Sequence, residues 1–473
     1  MEKRDNVVYP YIPNSVSKIK EEMLKEIGVE KVEELYQSIP KHLRVKGKLN
    51  IPGPILSEIE LKHHVEGIIN QNKSCDEYVN FLGAGCYNHY VPAVCDEING
   101  RSEFLTAYCG DTYSDHGKCQ AIFEYTSLIG ELLEMDVVGL ATYDGGQAAN
   151  TSIRMAHRIN GRKEVLIPEI IDKDIVNQIK EYCDFMEIKK IKANKATGQL
   201  DLDDLKDKIS EKTACVYIEN PNFLGCIEEQ GEKISEIAHS YGAEFVVSVD
   251  PISLGVLETP AVYGGDIICG ELQALGIHMG YGSGLGGIIA SKDEEKYIMN
   301  FPNHFYSLYE NEKGEFGFSR SLNQRTSYHS REEAVEFLGT NVGLWAITAA
   351  VYLSLLGPQG MYEVGRNILY KSNYAKKVLG EIKGVEILYQ ESKSFKEFVV
   401  NFDRTGKTVE EINRQLLKEK IFGGYDLSKD FTDLGQSALY CVTETTRKED
   451  IENLAKAVER ILLSKDSKGG KNE

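Results

Sequence analysis

The stretch FVVSVDPISLG, residues 245–255, combines a β-rich apolar run with an acidic residue and a proline. Phe245–Val249 has the length of a buried strand, and Pro251 cannot continue the strand's hydrogen bonding because proline lacks an N–H group. Asp250 is therefore predicted at the carboxyl end of a strand. Ligands of open α/β sheets bind at that edge, so Asp250 is a candidate site residue.

Further β-rich runs occur on both sides of this stretch and are separated by amphipathic helical segments. The runs are 164–167, 214–218 and 267–269, and the helical segments include 172–183 and 231–240. Strands that alternate with helices indicate an α/β fold with a mostly parallel central sheet that is covered on both faces.

Changes of pattern along the chain predict four segments. They are an extended N-terminal arm at 1–60, a large α/β domain at 61–357, a smaller C-terminal α+β domain at 358–463 and a disordered tail at 464–473. Prolines punctuate the arm, which is predicted to run irregularly across another surface. In the small domain we expect strands at 397–402 and 438–443 and a final helix at 448–463.

The composition excludes several classes of protein. The 473 residues include 54 Lys and Arg against 73 Asp and Glu, a net charge of −19, whereas nucleic-acid binding needs clustered basic residues. Ten scattered cysteines without a CxxC pair, and an N-terminus without a signal peptide, predict free thiols in a reducing cytoplasm and no metal site. The apolar run 342–356 is shorter than the roughly 20 residues that span a membrane, so we predict a buried helix there.

The residue that follows the next predicted strand is informative. In pyridoxal-phosphate enzymes of the aminotransferase type, an Asp placed like Asp250 pairs with the pyridinium nitrogen, and a lysine after a later strand forms the Schiff base. Here the corresponding segment is DIICGELQALG, with Gln273 at the lysine's position, and glutamine cannot form a Schiff base. An Asp that merely caps a turn is the more common alternative for Asp250 taken alone.

Three other motifs allow two interpretations each. The GxGxxG pattern at 282–287 precedes a β run instead of opening a helix, which favours a hairpin over dinucleotide binding. Asn220 ends a predicted strand, where it either caps a turn or faces a site. Aromatic residues with polar tips precede the core and suit an interface or a site lining, with the interface favoured. These residues are Tyr87, His89, Tyr90, Tyr108 and Tyr113.

Long stretches of the chain resemble one family, the glycine decarboxylase P-protein, and in particular its alpha, or N-terminal-half, subunits. The resemblance rests on YPYIPNS at 9–15, SIPKHLRVKGKLNIP at 38–52, NFLGAGCYNHYVPAV at 80–94, SEFLTAY at 102–108, QAIFEYTSLIGELLEMDV at 120–137, IENPNFLGCIE at 218–228, VDPISLGVLETPAVYGGDIICGELQALGI at 249–277 and TNVGLWAITAAVYLSLLGPQG at 340–360. An ordered set of this kind is far more specific than any one of its motifs.

The resemblance implies fold type I of the pyridoxal-phosphate enzymes and a role in glycine cleavage. A paralogous beta subunit is expected to carry pyridoxal phosphate and its lysine, in an assembly of the α2β2 type. That complex would decarboxylate glycine and pass the aminomethyl group to the lipoyl arm of the H-protein. This chain is expected to be non-catalytic alone and to bind no cofactor covalently. The residues expected to line the partner's site or the interface are Tyr87, His89, Tyr90, Tyr108, Tyr113, Asn220, Asp250 and Gln273.

The chain departs from the family pattern in several loops. The segment Tyr108–Gly117, expected near the partner's active site, is one residue shorter than usual. Asp172 stands in place of a usual histidine, Leu272 stands in place of a usual glycine, and the segment Ser330–Gly339 has lost basic residues.

Because function resides in loops on a shared scaffold, these departures leave alternatives open. In one alternative the chain is a diverged paralogue whose partner acts on another amino acid. In the other it is a structural or regulatory subunit. A free-standing pyridoxal-phosphate enzyme would need an unexpected lysine, and the first lysine after Gln273 is Lys292, beyond a glycine-rich turn.

Overall fold

The computed structural model describes residues 8–47, 49–105, 116–281, 284–336, 338 and 342–464. The chain divides into two compact units, Met1–Asn72 and Lys73–Glu473. The helices are α1 (Ser17–Ile27), α2 (Glu58–Ile69), α3 (Ala93–Asn99), α4 (His116–Leu133), α5 (Gly145–Asn160), α6 (Lys173–Tyr182), α7 (Leu202–Lys208), α8 (Gly231–Ser240), α9 (Glu295–Ile298), α10 (Ser327–Ser330), α11 (Gly343–Gly380), α12 (Val409–Lys418) and α13 (Lys448–Leu463).

The strands are β1 (Val79–Asn80), β2 (Val137–Val138), β3 (Glu164–Pro168), β4 (Glu187–Ile191), β5 (Thr213–Asn220), β6 (Glu244–Val249), β7 (Ile267–Glu271), β8 (Gly287–Ser291), β9 (Phe305–Glu310), β10 (Phe316–Ser321), β11 (Glu386–Ile387), β12 (Glu397–Asn401), β13 (Ile421–Phe422), β14 (Tyr425–Asp426) and β15 (Ser437–Cys441). The predicted tail lies outside the described residues beyond Ser464.

The first unit contains α1, α2 and short 3₁₀ turns between irregular segments. Gly28 ends α1 in the left-handed region, with φ of +83°, as a glycine C-cap does. None of the residues described between 8 and 72 is buried, although apolar side chains such as Ile12, Ile27 and Leu43 are numerous there. The described part of this unit therefore has no hydrophobic core of its own.

A seven-stranded sheet forms the centre of the second unit, with strand order β2-β8-β7-β6-β5-β3-β4. All neighbouring strands are parallel except β8, which is antiparallel to β2 and β7. Alternate residues of β6 enter different apolar clusters, since Phe245 and Val247 pack with one and Val246 with the other. The sheet is thus covered on both faces, and the predicted α/β architecture is confirmed.

The register of three central strands determines which residues meet at the carboxyl edge. Asn220 pairs with Val249 across β5 and β6, and Val249 pairs with Gly270 across β6 and β7. Because these strands are parallel, their last residues and the residues that follow lie side by side. Asp250 and Glu271 are therefore neighbours at one edge of the sheet.

A second sheet, with order β11-β12-β15-β14, is antiparallel and packs with α12, α13 and the second half of α11. The sequence predicted only two of its four strands, because β11 and β14 have two residues each. It also missed α12, although Thr408 and Glu411 form a capping box at its start.

Helix α11 contains the apolar run for which a buried helix was predicted. Its first half packs against α3 and α4 and buries residues such as Ala346 and Ala349, which confirms the prediction. At Gly357 the φ is +57°, and a second helical segment that includes Pro358 follows directly. Among the described helices, α11 is the one long and apolar enough to cross a membrane by length and composition.

Candidate functional site

Asp250 is paired with a lysine from a distant part of the chain. Its Oδ2 atom lies 2.5 Å from Nζ of Lys396, and its Oδ1 atom accepts the N–H of Ile252 at 3.0 Å. The Lys396 side chain is 1% exposed and that of Asp250 is 15% exposed. Both oxygens of the strand-end carboxylate are therefore engaged within the chain.

Lys396 directly precedes β12 and has a left-handed backbone, with φ of +62°. That conformation costs a residue other than glycine about 1–2 kcal/mol. With this backbone conformation, the ammonium group of Lys396 contacts three partners. They are Asp250, Nε2 of His89 at 2.9 Å, and the Tyr87 ring, whose centre is 3.8 Å away. An ammonium has three N–H donors, so these contacts satisfy it completely.

The contacts of His89 fix its protonation state. An ammonium can only donate, so Nε2 of His89 must accept from Lys396, and the ring proton is then on Nδ1. Nδ1 lies 2.7 Å from Oε2 of Glu444, to which it donates. Burial and the adjacent Lys396 charge lower the pKa of His89, which keeps the ring neutral. His89 therefore connects the lysine to a second carboxylate.

Glu444 follows β15 and completes this network. Burial raises the pKa of its carboxyl, but the hydrogen bond from His89 and other donors outweigh burial, and the net shift is downward. Oε1 of Glu444 also accepts the backbone N–H of Tyr90 at 2.6 Å. The buried network thus contains two carboxylates, one ammonium and one neutral imidazole, drawn from segments far apart in sequence.

Tyr87 and Glu397 extend the network on the other side of Lys396. The Tyr87 hydroxyl donates to Oε2 of Glu397 at 2.9 Å, and the N–H of Ala84 donates to Oε1 at 2.7 Å. Burial raises the pKa of Glu397 to about 7. Burial and the Glu397 charge raise the pKa of the Tyr87 hydroxyl well above its usual value.

Gln273 occupies a position beside this network and is 1% exposed. Its carboxamide oxygen accepts the N–H of Tyr87 at 3.0 Å, and its Nε2 donates to the carbonyl oxygens of Tyr87 and Ile277 at 3.0 and 2.9 Å. The carboxamide is therefore a structural link between β7 and the segment that carries Tyr87. It offers no amine for covalent chemistry.

Glu271 lies at the end of β7 next to the first turn of α5. Its carboxylate accepts N–H groups of Gly145 at 2.7 Å, Gly286 at 2.8 Å and Gln273 at 3.0 Å. Burial raises the pKa of this carboxyl to about 7, although the three N–H groups act in the opposite direction. Gly145 is the first residue of α5, so the side chain caps the helix N-terminus.

The other predicted residues lie in different surroundings. The Asn220 side chain bonds to the backbone of Glu228 and to the Tyr263 hydroxyl, so its contacts are those of a strand-end turn. Tyr90 joins the network only through its backbone, and its side chain is exposed. Tyr108 and Tyr113 lie outside the described residues.

Two of the loop departures have structural explanations. Asp172 is the N-cap of α6, where its side chain accepts the N–H of Asp174 at 2.8 Å. Leu272 is fully buried in the main apolar cluster. The segment Tyr108–Gly117 is outside the described residues up to Asp115, and Ser330–Gly339 is described up to Glu336 and at Leu338.

Sequence reasoning missed Lys396, Glu397, Glu444 and Glu271. Glu271 was part of the motif GELQ and follows a predicted strand, so its position at the sheet edge was a usable signal. Lys396 and Glu397 stand where a predicted strand begins, and Glu444 stands where another ends. Nothing local links them to Asp250.

Comparisons with known proteins agree on one family. The family model described as "Glycine cleavage system P-protein" matches residues 10–458. The chain belongs to the glycine cleavage system P-protein family. A relative from Pyrococcus horikoshii, named probable glycine dehydrogenase (decarboxylating) subunit 1, is 38% identical over 456 residues, which are 96% of this chain and 99% of the relative.

One solved structure supports the same family, and a second supports the fold. A crystal structure of glycine decarboxylase (P-protein) of the glycine cleavage system, in inhibitor-bound form, is 29% identical and has a TM-score of 0.84 over 96% of this chain and 100% of that chain. Sphingosine-1-phosphate lyase from Burkholderia pseudomallei, 16% identical over 90% of this chain and 94% of its own, has a TM-score of 0.62 and supports the fold alone. The P-protein chain therefore has fold type I of the pyridoxal-phosphate enzymes, as predicted.

We expect Lys396→Met to destabilise the protein by about 3–5 kcal/mol, because it leaves the mostly buried Asp250 carboxylate without its partner. The double variant Lys396→Met with Asp250→Asn should recover most of that loss. Urea unfolding of the single and double variants measures both effects. Lys393→Ala, which removes an exposed lysine paired with Glu229, is the matched control and should change stability by less than about 1 kcal/mol. Equal effects of Lys396→Met and Lys393→Ala would contradict the structure of the pair.

The raised pKa of Glu397 predicts that the free energy of unfolding depends on pH. Its pKa in the folded protein is about 7, above the ordinary value of 4.5, so the folded state holds the proton more tightly. The stability from this group is present below about pH 4.5 and is lost as the pH rises towards 7, by up to about 1.4 kcal/mol per pH unit.

The free energy of unfolding of Glu397→Gln should therefore lack this decline. The difference between wild type and variant, measured by urea unfolding from pH 5 to 7.5, should shift in the variant's favour as the pH rises. Glu391→Gln, at an exposed position, should show no such trend. A pH-independent difference for Glu397→Gln would exclude the raised pKa.

Proposed function

We propose that this chain is the non-catalytic alpha subunit of a two-subunit glycine decarboxylase. It pairs with a beta subunit that carries pyridoxal phosphate on a lysine. The complex decarboxylates glycine and transfers the aminomethyl group to the lipoyl arm of the H-protein. The observation that carries the proposal is Gln273, a carboxamide fully bonded to backbone where a cofactor-holding lysine would stand.

The chemistry explains why this residue is decisive. Decarboxylation of an amino acid leaves an electron pair on carbon, and pyridoxal phosphate supplies the electron sink for it. The enzyme holds that group through a nucleophilic lysine amine. The Gln273 carboxamide has no such amine, which supports placing the reaction on another subunit. The name of the Pyrococcus relative, a subunit 1, supports the existence of a second subunit.

The first unit supports a role in pairing. Its apolar side chains are exposed along 8–72, including Tyr11 at 95% and Ile51 at 70%. Apolar surface of this extent costs free energy in water unless a partner covers it. We assign these residues to the interface with the beta subunit, as the sequence predicted for an arm that crosses another surface. The assembly is α2β2 and works in the cytoplasm, where the many free cysteines remain reduced.

We expect the two subunits together, with lipoylated H-protein, to catalyse glycine-dependent exchange of labelled bicarbonate. Neither subunit alone should catalyse it above background, because one lacks the lysine and the other lacks its partner surface. Exchange by this chain alone would refute its non-catalytic role. Exchange with another amino acid but not with glycine would favour the diverged paralogue instead.

We expect deletion of residues 1–72 to weaken pairing with the beta subunit by at least about 10-fold, which corresponds to about 1.4 kcal/mol. The apolar clusters of the second unit lie within residues 79–462, so the truncated chain should keep its fold. Circular dichroism checks the fold, and light scattering with titration measures the pairing. A chain that lacks 465–473 is the control and should pair normally. Unchanged affinity after deletion of 1–72 would assign the interface elsewhere.

A further inference from the structure

The end of the site that would hold a pyridinium nitrogen is already filled by the chain itself. A pyridoxal-phosphate enzyme of this fold uses the strand-end carboxylate to bind the protonated ring nitrogen. Here that carboxylate binds the Lys396 ammonium at 2.5 Å and the Ile252 N–H at 3.0 Å. A ring nitrogen would have to displace a lysine that is 1% exposed.

The displaced ammonium would also lose its other contacts. Lys396 donates to His89 at 2.9 Å and lies 3.8 Å from the centre of the Tyr87 ring. Moving the charged ammonium away from these partners costs much free energy unless the ammonium reaches water. The lysine is therefore held in place from three sides.

The position that would suit the phosphate is filled as well. The N-terminus of a helix at the sheet edge is a favourable place for an anion, because its first N–H groups have no partner within the helix. At α5, the N–H of Gly145 donates to Glu271 at 2.7 Å, and the N–H groups of Gly286 and Gln273 complete the set. A phosphate there would meet the Glu271 carboxylate, which already accepts the first N–H group of α5 and two N–H groups from outside the helix.

We infer that the side chains of Lys396 and Glu271 take the places of the two ends of pyridoxal phosphate, and so close this chain's site to the cofactor. The inference deepens the proposed function and rests on it for the assignment of the cofactor to the partner. It adds that the exclusion is built into the chain and does not depend on Gln273 alone. The Lys396–Asp250 pair joins the residue before β12 of the second sheet to the residue after β6 of the first.

Lys396 is badly placed to hold the cofactor covalently. The carbon that a lysine attacks lies across the pyridine ring from the ring nitrogen. A lysine nitrogen bonded to the Asp250 carboxylate stands where the ring nitrogen belongs, so it cannot also reach that carbon. The geometry thus argues against a free-standing enzyme in which Lys396 is the unexpected lysine.

The first test adds pyridoxal 5′-phosphate to the full chain without its partner. After borohydride reduction, peptide mass mapping locates any pyridoxyl group. We expect the absorbance spectra of wild type and Asp250→Asn to be the same and no label on Lys396, with surface lysines labelled equally in both. A reducible band that Asp250→Asn abolishes, or label on Lys396, would overturn the inference.

The second test uses Lys396→Ala, which shortens the side chain by a propylammonium group. Added propylammonium should raise the melting temperature of this variant by several degrees. It should leave wild type, Lys393→Ala and the double variant Lys396→Ala with Asp250→Asn unchanged. No response of Lys396→Ala would mean that the carboxylate does not bind a cation there, and would overturn the Lys396 half of the inference.

If Lys396→Ala fails to fold, the first test still decides, because it uses only wild type and Asp250→Asn. The outcomes also separate this inference from the proposed function. A pair that fails to act on glycine while the chain excludes the cofactor would refute the function alone. A chain that binds the cofactor at Asp250 would refute the exclusion, whatever the pair does with glycine.

Discussion

The arrangement of the site depends on one constraint, the need of the Asp250 carboxylate for a cation. A charge at the end of a buried strand is costly unless it is paired and hydrogen-bonded. In this chain the cation is Lys396, which also contacts His89 and Tyr87. His89 is in turn hydrogen-bonded to Glu444, and Tyr87 is hydrogen-bonded to Glu397. The protein therefore contains a chain of mutually dependent polar groups at the carboxyl edge of its central sheet.

Networks of this kind are stable only when each member is satisfied. The buried Gln273 side chain meets this condition. Gln273 uses its carboxamide to link its strand to the backbone of Tyr87 and Ile277. Glu271 satisfies the first N–H of α5 and two loop N–H groups. The proposal that this chain supports a catalytic partner builds on these contacts.

The two units differ in how they bury their apolar side chains. The second unit contains several apolar clusters and a covered sheet, whereas none of the described residues of the first unit is buried. The departures Asp172 and Leu272 are accounted for by helix capping and core packing. They give no reason to assign a different substrate, and the proposed action on glycine follows the family to which the chain belongs.

The sequence by itself determined the local features of this protein. The apolar run at 245–249 predicts a strand, and the proline after Asp250 ends it. Gln273 cannot form a Schiff base, because a carboxamide is not an amine. Only the tertiary structure decided which groups meet. Asp250 pairs with Lys396, while Asn220 turns to Glu228. Such partners meet because of the order of the strands and the packing of the two sheets. Short-range sequence patterns contain no information about these contacts between distant segments.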